Sequence, residues 1–499
     1  MFALGIRYLN GWAMATHPAD RNRAEWPPHP DRVFMALVAA YCETGRSEEE
    51  RRALEWLEAL PPPSLSAKEA NRRTIVTSYV PVNDTTTSKL GVIQRISSLS
   101  KTRDAGLALL PEHRSRQARQ FPVALPDADD FDTAVRGMPY AYLIWSEIEI
   151  PALHRHAMES LCRKATSVGH SASLVQMWVE PSPPEASLIP SENLTVRYRL
   201  RVTADGRLGQ LEERYKAGLR PVSSLWQGYC ERPGEASEVS PPSSHFDANL
   251  LILRRMVGPQ LSLESTLQLT GAVRETVMSK CPVQPPPVWV SGHNADGSRA
   301  EQPHLAFIPL SHVGHAHAEG HLLGVAIAVP RDVPTVEQEH CLGETLFGED
   351  GLPRDLEIRM GRVGVWKVAL EDGEDPRVAL QQDTWTGSPQ GARRWATVTP
   401  IVFDRHPKKP DDAEETIAAS CQRIGLPRPK DVILAPVSMF IGSPHARRYP
   451  LMQRKTGGNL HHTHAIVTFD GPVVGPVLLG AGRYRGYGLC RPLSSGGES

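Results

Sequence analysis

The residues best suited to chemistry in this 499-residue chain are its 19 histidines, and they cluster twice. The first cluster is His312-Val313-Gly314-His315-Ala316-His317-Ala318-Glu319-Gly320-His321. Imidazole titrates near neutrality, so such a loop can hold a proton acceptor and a proton donor together. In an extended loop His315 and His317 would point the same way, because alternate residues share a face. His321 completes the group. The same spacing, H-x-H-x-x-x-H with Glu319 beside it, also suits a metal ion. A third reading hydrogen-bonds the rings to loop backbone as plain structure. The second cluster is His461-His462-Thr463-His464, where His462 and His464 share one face of a strand. Upstream lie Arg447, Arg448, Arg454 and Lys455, in a loop suited to a phosphate backbone. This second cluster is expected to contact a ligand or support the site and not to transfer protons.

The segment Leu479-Gly480-Ala481-Gly482-Arg483-Tyr484-Arg485-Gly486-Tyr487-Gly488-Leu489 carries a different chemistry. Gly480, Gly482, Gly486 and Gly488 would let backbone approach a ligand closely. Arg483 and Arg485 bring charge for phosphates, and Tyr484 and Tyr487 offer faces for unpaired bases. No compact helix follows, so this is not the dinucleotide fingerprint, and no cofactor is implied. The plain alternative is a flexible turn.

Composition sets bounds on these readings. The formal charge is −1, so a global basic excess is absent and any nucleic-acid footprint must be local. Phe440–Ser499 is such a region, with seven Lys/Arg against two Asp/Glu. A second basic stretch lies at Arg114, Arg116 and Arg119. Hydrophobic residues make up 40%, as in a globular protein. No apolar run reaches the roughly 18 residues of a membrane span. The N-terminus reads as a first strand and not as a signal peptide. Seven singly scattered cysteines form no C-x-x-C pair, which points to buried thiols in a reducing, cytoplasmic setting. Trp26, Trp56, Trp145 and Trp178 are expected in the core.

The elements that must position these groups follow from periodicity. Phe2–Met14 reads as a strand. A helix starts at Pro30 with Val33, Phe34, Leu37, Val38 and Tyr41 on one face. A second helix spans Arg51–Leu60, strands follow at Thr74–Val82 and Leu143–Ile150, a helix at Ala152–Thr166 and a strand at Ser173–Val179. Residues 231–247 are rich in Pro, Ser and Glu and read as a linker. Beyond it, Leu250–Arg254 is a strand and Ser262 could cap a helix carrying Leu263, Leu267, Val273 and Val277. Strands at His304–Leu310 and Leu322–Val329, a helix at Val336–Phe347 and a strand at Gly364–Leu370 complete one round. Another round reads strand Ala396–Phe403, helix Ala413–Arg423, strands Val432–Phe440 and His461–Phe469, a short helical stretch near Val474–Leu479, and strand Tyr487–Leu493. The fold class expected is α+β, with tandem ferredoxin-like (RRM-like) units in two domains, 1–235 and 246–499.

Three stretches together resemble a known family. PPHPDRVFMALVAAYCETG with ALEWLEALPPP, HLAFIPLSHVGHAHAEGHLLGVAIAVP and GAGRYRGYGLC look like the type I-G (formerly I-U) CRISPR-associated Cascade subunit. That subunit fuses a Cas-five-like binder of the CRISPR RNA 5′ handle to a Cas-six-like repeat-processing endoribonuclease. The resemblance runs along essentially the whole chain. It implies metal-independent cleavage of precursor CRISPR RNA by 2′-OH attack, with His315, His317 and His321 as proton-transfer candidates. It implies RNA contacts at Arg447, Arg448, His462, His464 and the glycine-rich segment. The partners implied are CRISPR RNA, Cas-seven-like backbone subunits and a large subunit, with no membrane. Val168-Gly169-His170-Ser171 looks like the five-like half's own glycine loop. One departure stands out: many six-like nucleases place a catalytic histidine on the helix corresponding to Ser262–Lys280, which here has none. A non-catalytic RNA scaffold and a histidine-metal hydrolase are the alternatives.

Overall fold

The structure is a computed structural model that describes residues 1–17, 23–81, 116–126, 139–196, 198–232, 241–371, 376–404, 410–453 and 457–493. The chain divides into two compact units. The first comprises Met1–Pro190 with Leu200–Arg232, the second Ser191–Arg199 with Pro233–Ser499. Both combine helices with antiparallel sheets, so the fold class is α+β as expected.

In the first unit, β1 (Phe2–Tyr8), α1 (Pro30–Glu43), α2 (Glu48–Glu58), β2 (Ser64–Ala67), β3 (Ala70–Pro81), β4 (Arg116–Pro126), β5 (Tyr140–Trp145), α3 (Ala152–Lys164) and β6 (Val175–Glu180) come first. They are followed by β7 (Leu188–Pro190), β8 (Tyr198–Val202), α4 (Arg207–Lys216) and β9 (Leu225–Glu231). One sheet has the order β6-β1-β5-β2-β7-β9-β8, and β3 and β4 form a separate hairpin. The order β6-β1-β5-β2, with helices in the crossovers, is compatible with a ferredoxin-like unit. Helix α1 forms where the apolar spacing places it, and Val33, Phe34, Leu37, Val38 and Tyr41 are all buried. Its N-terminus carries buried charge. Asp31 accepts two hydrogen bonds from Arg207, and Glu25 accepts from Arg32 and Arg201. These paired, enclosed groups tie α1 to β8 and α4, where losing one partner would leave an uncompensated charge.

The second unit opens with β10 (Leu251–Val257), α5 (Thr266–Lys280), β11 (Ala306–Ser311) and β12 (Leu322–Ala328). A helical stretch follows (Thr335–Gln338, a π-turn at Glu339–Gly343, Glu344–Leu346), then β13 (Leu356–Arg359) and β14 (Val365–Leu370). The sheet order is β11-β12-β10-β14-β13. Every residue of β11 and β12 is buried, which is why both read as unbroken apolar runs. The second sheet uses β15 (Ala392–Thr397), β16 (Ile401–Val402), β17 (Asp431–Ala435), β18 (His462–Val473) and β19 (Cys490–Pro492). Helix α6 (Pro410–Arg423) lies between β16 and β17 in the chain. Strand β18 pairs β15 and β16 along one edge and β17 along the other, and β19 borders β15. Both orders are compatible with ferredoxin-like units.

Two expectations are corrected here. Val474–Leu479 is not helical: it runs extended, bridging Ser243 through Val474 and Leu489 through Leu478. Pro476 removes a donor and Gly475 a side chain, so the apolar spacing there cannot close a helical turn. Tyr487–Leu493 shortens to the three-residue β19, because Gly486 and Gly488 turn the chain just before it. No described helix is long and apolar enough to cross a membrane. Five of the seven free cysteines are buried, in line with a packing role. Arg114, Arg454 and Lys455 lie outside the described residues, and for Arg116 and Arg119 only the backbone position on β4 is described.

Candidate functional site

The glycine-rich segment is seated where the two sheets of the second unit meet. The Arg485 carbonyl accepts from Thr270 Oγ1 of α5 at 3.0 Å, and the Gly486 carbonyl from Thr399 Oγ1 at 2.7 Å. The glycines themselves face inward. A Cβ on Gly488, at φ +72°, would lie 1.9 Å from the Leu479 carbonyl oxygen. One on Gly486, at φ +80°, would lie 2.8 Å from Pro309 Cδ and from Thr266 Cγ2. Gly480 and Gly482 are buried against Val402 and Tyr487. All four glycines are therefore required by the loop's own packing. Tyr487 is also interior, with its hydroxyl donating to the Pro450 carbonyl at 2.8 Å, so it is no stacking face.

What the loop offers outward is Arg483, Tyr484 and Arg485, a short 3₁₀ turn. Tyr484 stacks on His304, with ring centroids 3.5 Å apart and planes 23° apart. The Arg483 guanidinium lies 4.7 Å from the Tyr484 centroid. Tyr484 is thus engaged within the protein as a mount for an imidazole and a cation. Behind them, Arg274 of α5 donates to the Ser291 carbonyl at 2.6 Å. Its pKa is lowered by burial and by the neighbouring charge of Arg485. Burial, opposed by the Gln302 carbonyl and reinforced by Arg274, Arg483 and His293, takes His304 down to about 4. Its Nδ1 is buried without a hydrogen-bond partner. The His304 ring also lies over Gly292, where a Cβ would be 2.7 Å away. The result is a neutral imidazole beside two guanidinium groups, Arg274 and Arg483, with Arg485 next to Arg274. Sequence reasoning missed His304 and Arg274, because both are far in sequence from the loop that gathers them.

The histidine loop joins β11 to β12. It is pinned by its backbone: His312 N–H donates to the His321 carbonyl at 2.9 Å and Gly314 N–H to the Ile441 carbonyl at 2.9 Å. Arg491 donates to the Val313 carbonyl at 2.9 Å. The loop is not extended. Ala318 N–H donates back to the His315 carbonyl at 3.0 Å, closing a turn that removes the shared face expected of His315 and His317. The rings brought together are instead His312 with His315, at 5.5 Å, and His312 with His321, at 5.4 Å. His315 and His317 are exposed. Burial and the neighbouring His312 lower the pKa of His321. Among the described residues no three His, Cys, Asp or Glu side chains converge as metal ligands would, so the ligand set allowed by the spacing is not assembled.

His304 and the histidine loop stand at opposite ends of β11, whose six residues cover roughly 20 Å at about 3.3 Å each. The second histidine cluster runs from exposed His461 through half-buried His462 to buried His464. His464 is 1% exposed, its Nδ1 2.9 Å from Thr397 Oγ1 and its Nε2 3.1 Å from the Pro444 carbonyl. Burial, aided by His462 and His445 and opposed by the Pro444 and Thr397 backbone, takes its pKa down to about 4. The ring is enclosed by its own protein partners on both nitrogens. His462 is half-buried, 6.1 Å from the Tyr487 ring. Arg447 and Arg448 are both exposed, and Arg448 also pairs with Glu264 at 2.8 Å. In the first unit, a Cβ on Gly169 would lie 2.9 Å from the Met14 carbonyl oxygen, so that glycine too accommodates the chain's own backbone.

Comparison with known proteins adds a family. A family model described as "CRISPR-associated protein, GSU0054 family" matches residues 2–492. No curated protein matches the chain. Among solved structures, the chain is similar to a crystal structure of a CRISPR protein from Archaeoglobus fulgidus, at 12% identity over 40% of this chain and 70% of that one. The TM-score of 0.18 is too low for that likeness to carry an argument.

Proposed function

Because the chain belongs to the CRISPR-associated GSU0054 family, we propose that it binds CRISPR RNA and cuts it within repeats, at the glycine loop of its second unit. The observation that supports this reading is the mounting of His304 on Tyr484 beside Arg274 and Arg483, with Arg485 next to Arg274. A ring with a pKa near 4 is neutral at physiological pH, so its free nitrogen is open to a proton, although as a weaker base than an unshifted imidazole. In the reaction proposed, His304 takes the proton of a ribose 2′-OH and the 2′-oxygen attacks the adjacent phosphorus. The bond from phosphorus to the 5′-oxygen breaks, and that oxygen leaves with a proton from an acid. The products are a 2′,3′-cyclic phosphate and a 5′-hydroxyl. The three guanidinium groups stabilise the charge that builds on the phosphorane oxygens. The scheme calls for no metal ion.

A second assignment gives proton transfer to His315 and His317, with His321 supporting them. Their exposure favours it, since both rings are open to a substrate. The two assignments separate by mutation. On the first, His304→Ala abolishes cutting of repeat RNA while binding persists, and His315→Ala with His317→Ala leaves cutting intact. The reverse pattern moves the chemistry to the histidine loop. Cutting retained in both variants would place the proton transfer on other residues, and binding without cutting by the unaltered protein would leave an RNA-holding scaffold. On the family resemblance we further propose the type I-G assignment, with residues 1–235 holding the 5′ handle, residues 246–499 processing the repeat, and Cas-seven-like and large subunits as neighbours.

A further inference from the structure

The seven-stranded sheet of the first unit has, among the described residues, a partly open face that carries Trp178, which the sequence reading placed in the core. Along β1, β5 and β6 one set of alternate residues, Leu4, Ile6, Leu143 and Met177, is buried. The other set begins with Ala3 and Ile144, which are buried, and continues with Gly5, Arg7, Tyr140, Tyr142, Gln176 and Trp178. Register places Gly5 opposite both Tyr142 and Trp178, and Arg7 opposite both Tyr140 and Gln176. These residues therefore form one patch three strands wide. Gly5 explains its shape: three atoms of the Trp178 indole lie 2.4–2.9 Å from where a Cβ would stand, so the ring rests on the strand. Trp178 meets Tyr140 edge to face at 6.1 Å and 86°, and Tyr142 at 5.9 Å and 90°. The two tyrosine rings are within 10° of parallel and 6.4 Å apart. Arg7 sets its guanidinium 4.9 Å from the Tyr140 centroid. The indole N–H is already satisfied by Glu180 at 3.0 Å, so the ring's free resource is its π face. Arg7, Tyr140, Tyr142 and Trp178 all remain partly open to solvent.

We propose that this face binds single-stranded RNA, stacking unpaired bases on Trp178 and the Tyr140–Tyr142 pair with Arg7 directed to phosphate. Antiparallel sheets that carry aromatic rings beside a cation on an open face are suited to splayed bases, and stacking of this kind tolerates any sequence. A duplex presents no base faces and fits the patch poorly. The choice of RNA over DNA rests on the function proposed above, but the site rests on its own geometry and lies in the other unit.

The test uses the full chain and a single-stranded RNA of about ten nucleotides carrying 4-thiouridine, cross-linked by light and mapped by mass spectrometry. Cross-links are expected on peptides containing residues 140–142 and 176–178. In parallel titrations Trp178→Ala is expected to weaken binding at least about fivefold, and Trp178→Phe, which keeps a ring, by no more than about twofold. Cross-links confined to residues 480–488, with Trp178→Ala and Tyr140→Ala/Tyr142→Ala binding as the unaltered protein does, would overturn this site and leave the glycine-loop reading standing. Cross-links at 140–178 with Arg485→Ala binding unchanged would do the opposite. Duplex RNA competing as well as single strands would overturn the stacking mode, and equal binding of single-stranded DNA would overturn the assignment to RNA. Trp178→Phe keeps the test decisive if Trp178→Ala folds poorly.

Discussion

Arg485 provides the sharpest quantitative test of the glycine-loop assignment. It is exposed, unlike half-buried Arg483, and close enough to Arg274 to lower that residue's pKa. If Arg274, Arg483 and Arg485 each neutralise one phosphate of a single strand, they contribute a slope of about −2 to log affinity against log salt. Raising salt from about 50 to about 200 mM would then cost about 18-fold in affinity through these three groups alone. Arg485→Ala should remove about 0.7 of that slope, cutting the same loss to about sevenfold. Other phosphate contacts add to both proteins equally, so the difference in slope is the quantity to read. Arg428 is the matched control, an exposed guanidinium that pairs with Glu415 at 2.9 Å and is assigned to no RNA contact. The assay is an equilibrium titration of labelled repeat RNA at four or five salt concentrations. An unchanged slope in Arg485→Ala, or an equal change in Arg428→Ala, would rule out the loop as a phosphate site.

Further outcomes follow from the same geometry. Gly488→Ala should lower the melting temperature and weaken RNA binding. It incurs about 1–2 kcal/mol for a left-handed backbone and a clash with the Leu479 carbonyl as well. Gly297→Ala has a similar φ but open space around it and should incur only the first cost, so equal melting shifts for the two would contradict the packing described. His464→Ala should destabilise the second unit by about 1–3 kcal/mol for each interior partner it strands, read by chemical denaturation. Unfolded His464 binds a proton below about pH 6.5 and the folded ring only near 4. Stability should therefore fall as pH drops through that window, by roughly 3 kcal/mol from this group, and His464→Asn should flatten the dependence. For cutting, kcat/KM should hold level down to about pH 5 if His304 is the base, since it reports the free protein. A fall beginning near pH 6.5 would point to an unshifted imidazole.

Much of the scaffold was legible because single elements carried their own signals. The α1 face showed as apolar residues at helical spacing, and β11 and β12 showed as unbroken apolar runs because both their faces are covered. The loop around Arg483 stood out by composition. What composition could not show was which way its glycines point, since a glycine needed for internal packing looks the same as one needed for a ligand. Nor could local pattern reveal the His304–Tyr484 stack, whose partners lie 180 positions apart. His464 looked like half of a surface pair because β18 alternates. Its burial comes from the Pro444 segment and Thr397 closing over it. The pairing of His315 with His317 failed for a local reason, the turn closed by Ala318. Trp178 was assigned to the core on the general habit of tryptophan, whereas Gly5 lets it lie on an open sheet face.

The most direct test of the central claim incubates the full chain with end-labelled repeat RNA in excess EDTA, beside a substrate carrying one 2′-deoxy sugar at the mapped cut. The plain RNA should be cut to a 2′,3′-cyclic phosphate, and the 2′-deoxy substrate should be bound but left whole. Cutting of both substrates, or cutting that returns only when a divalent metal is restored, would contradict it.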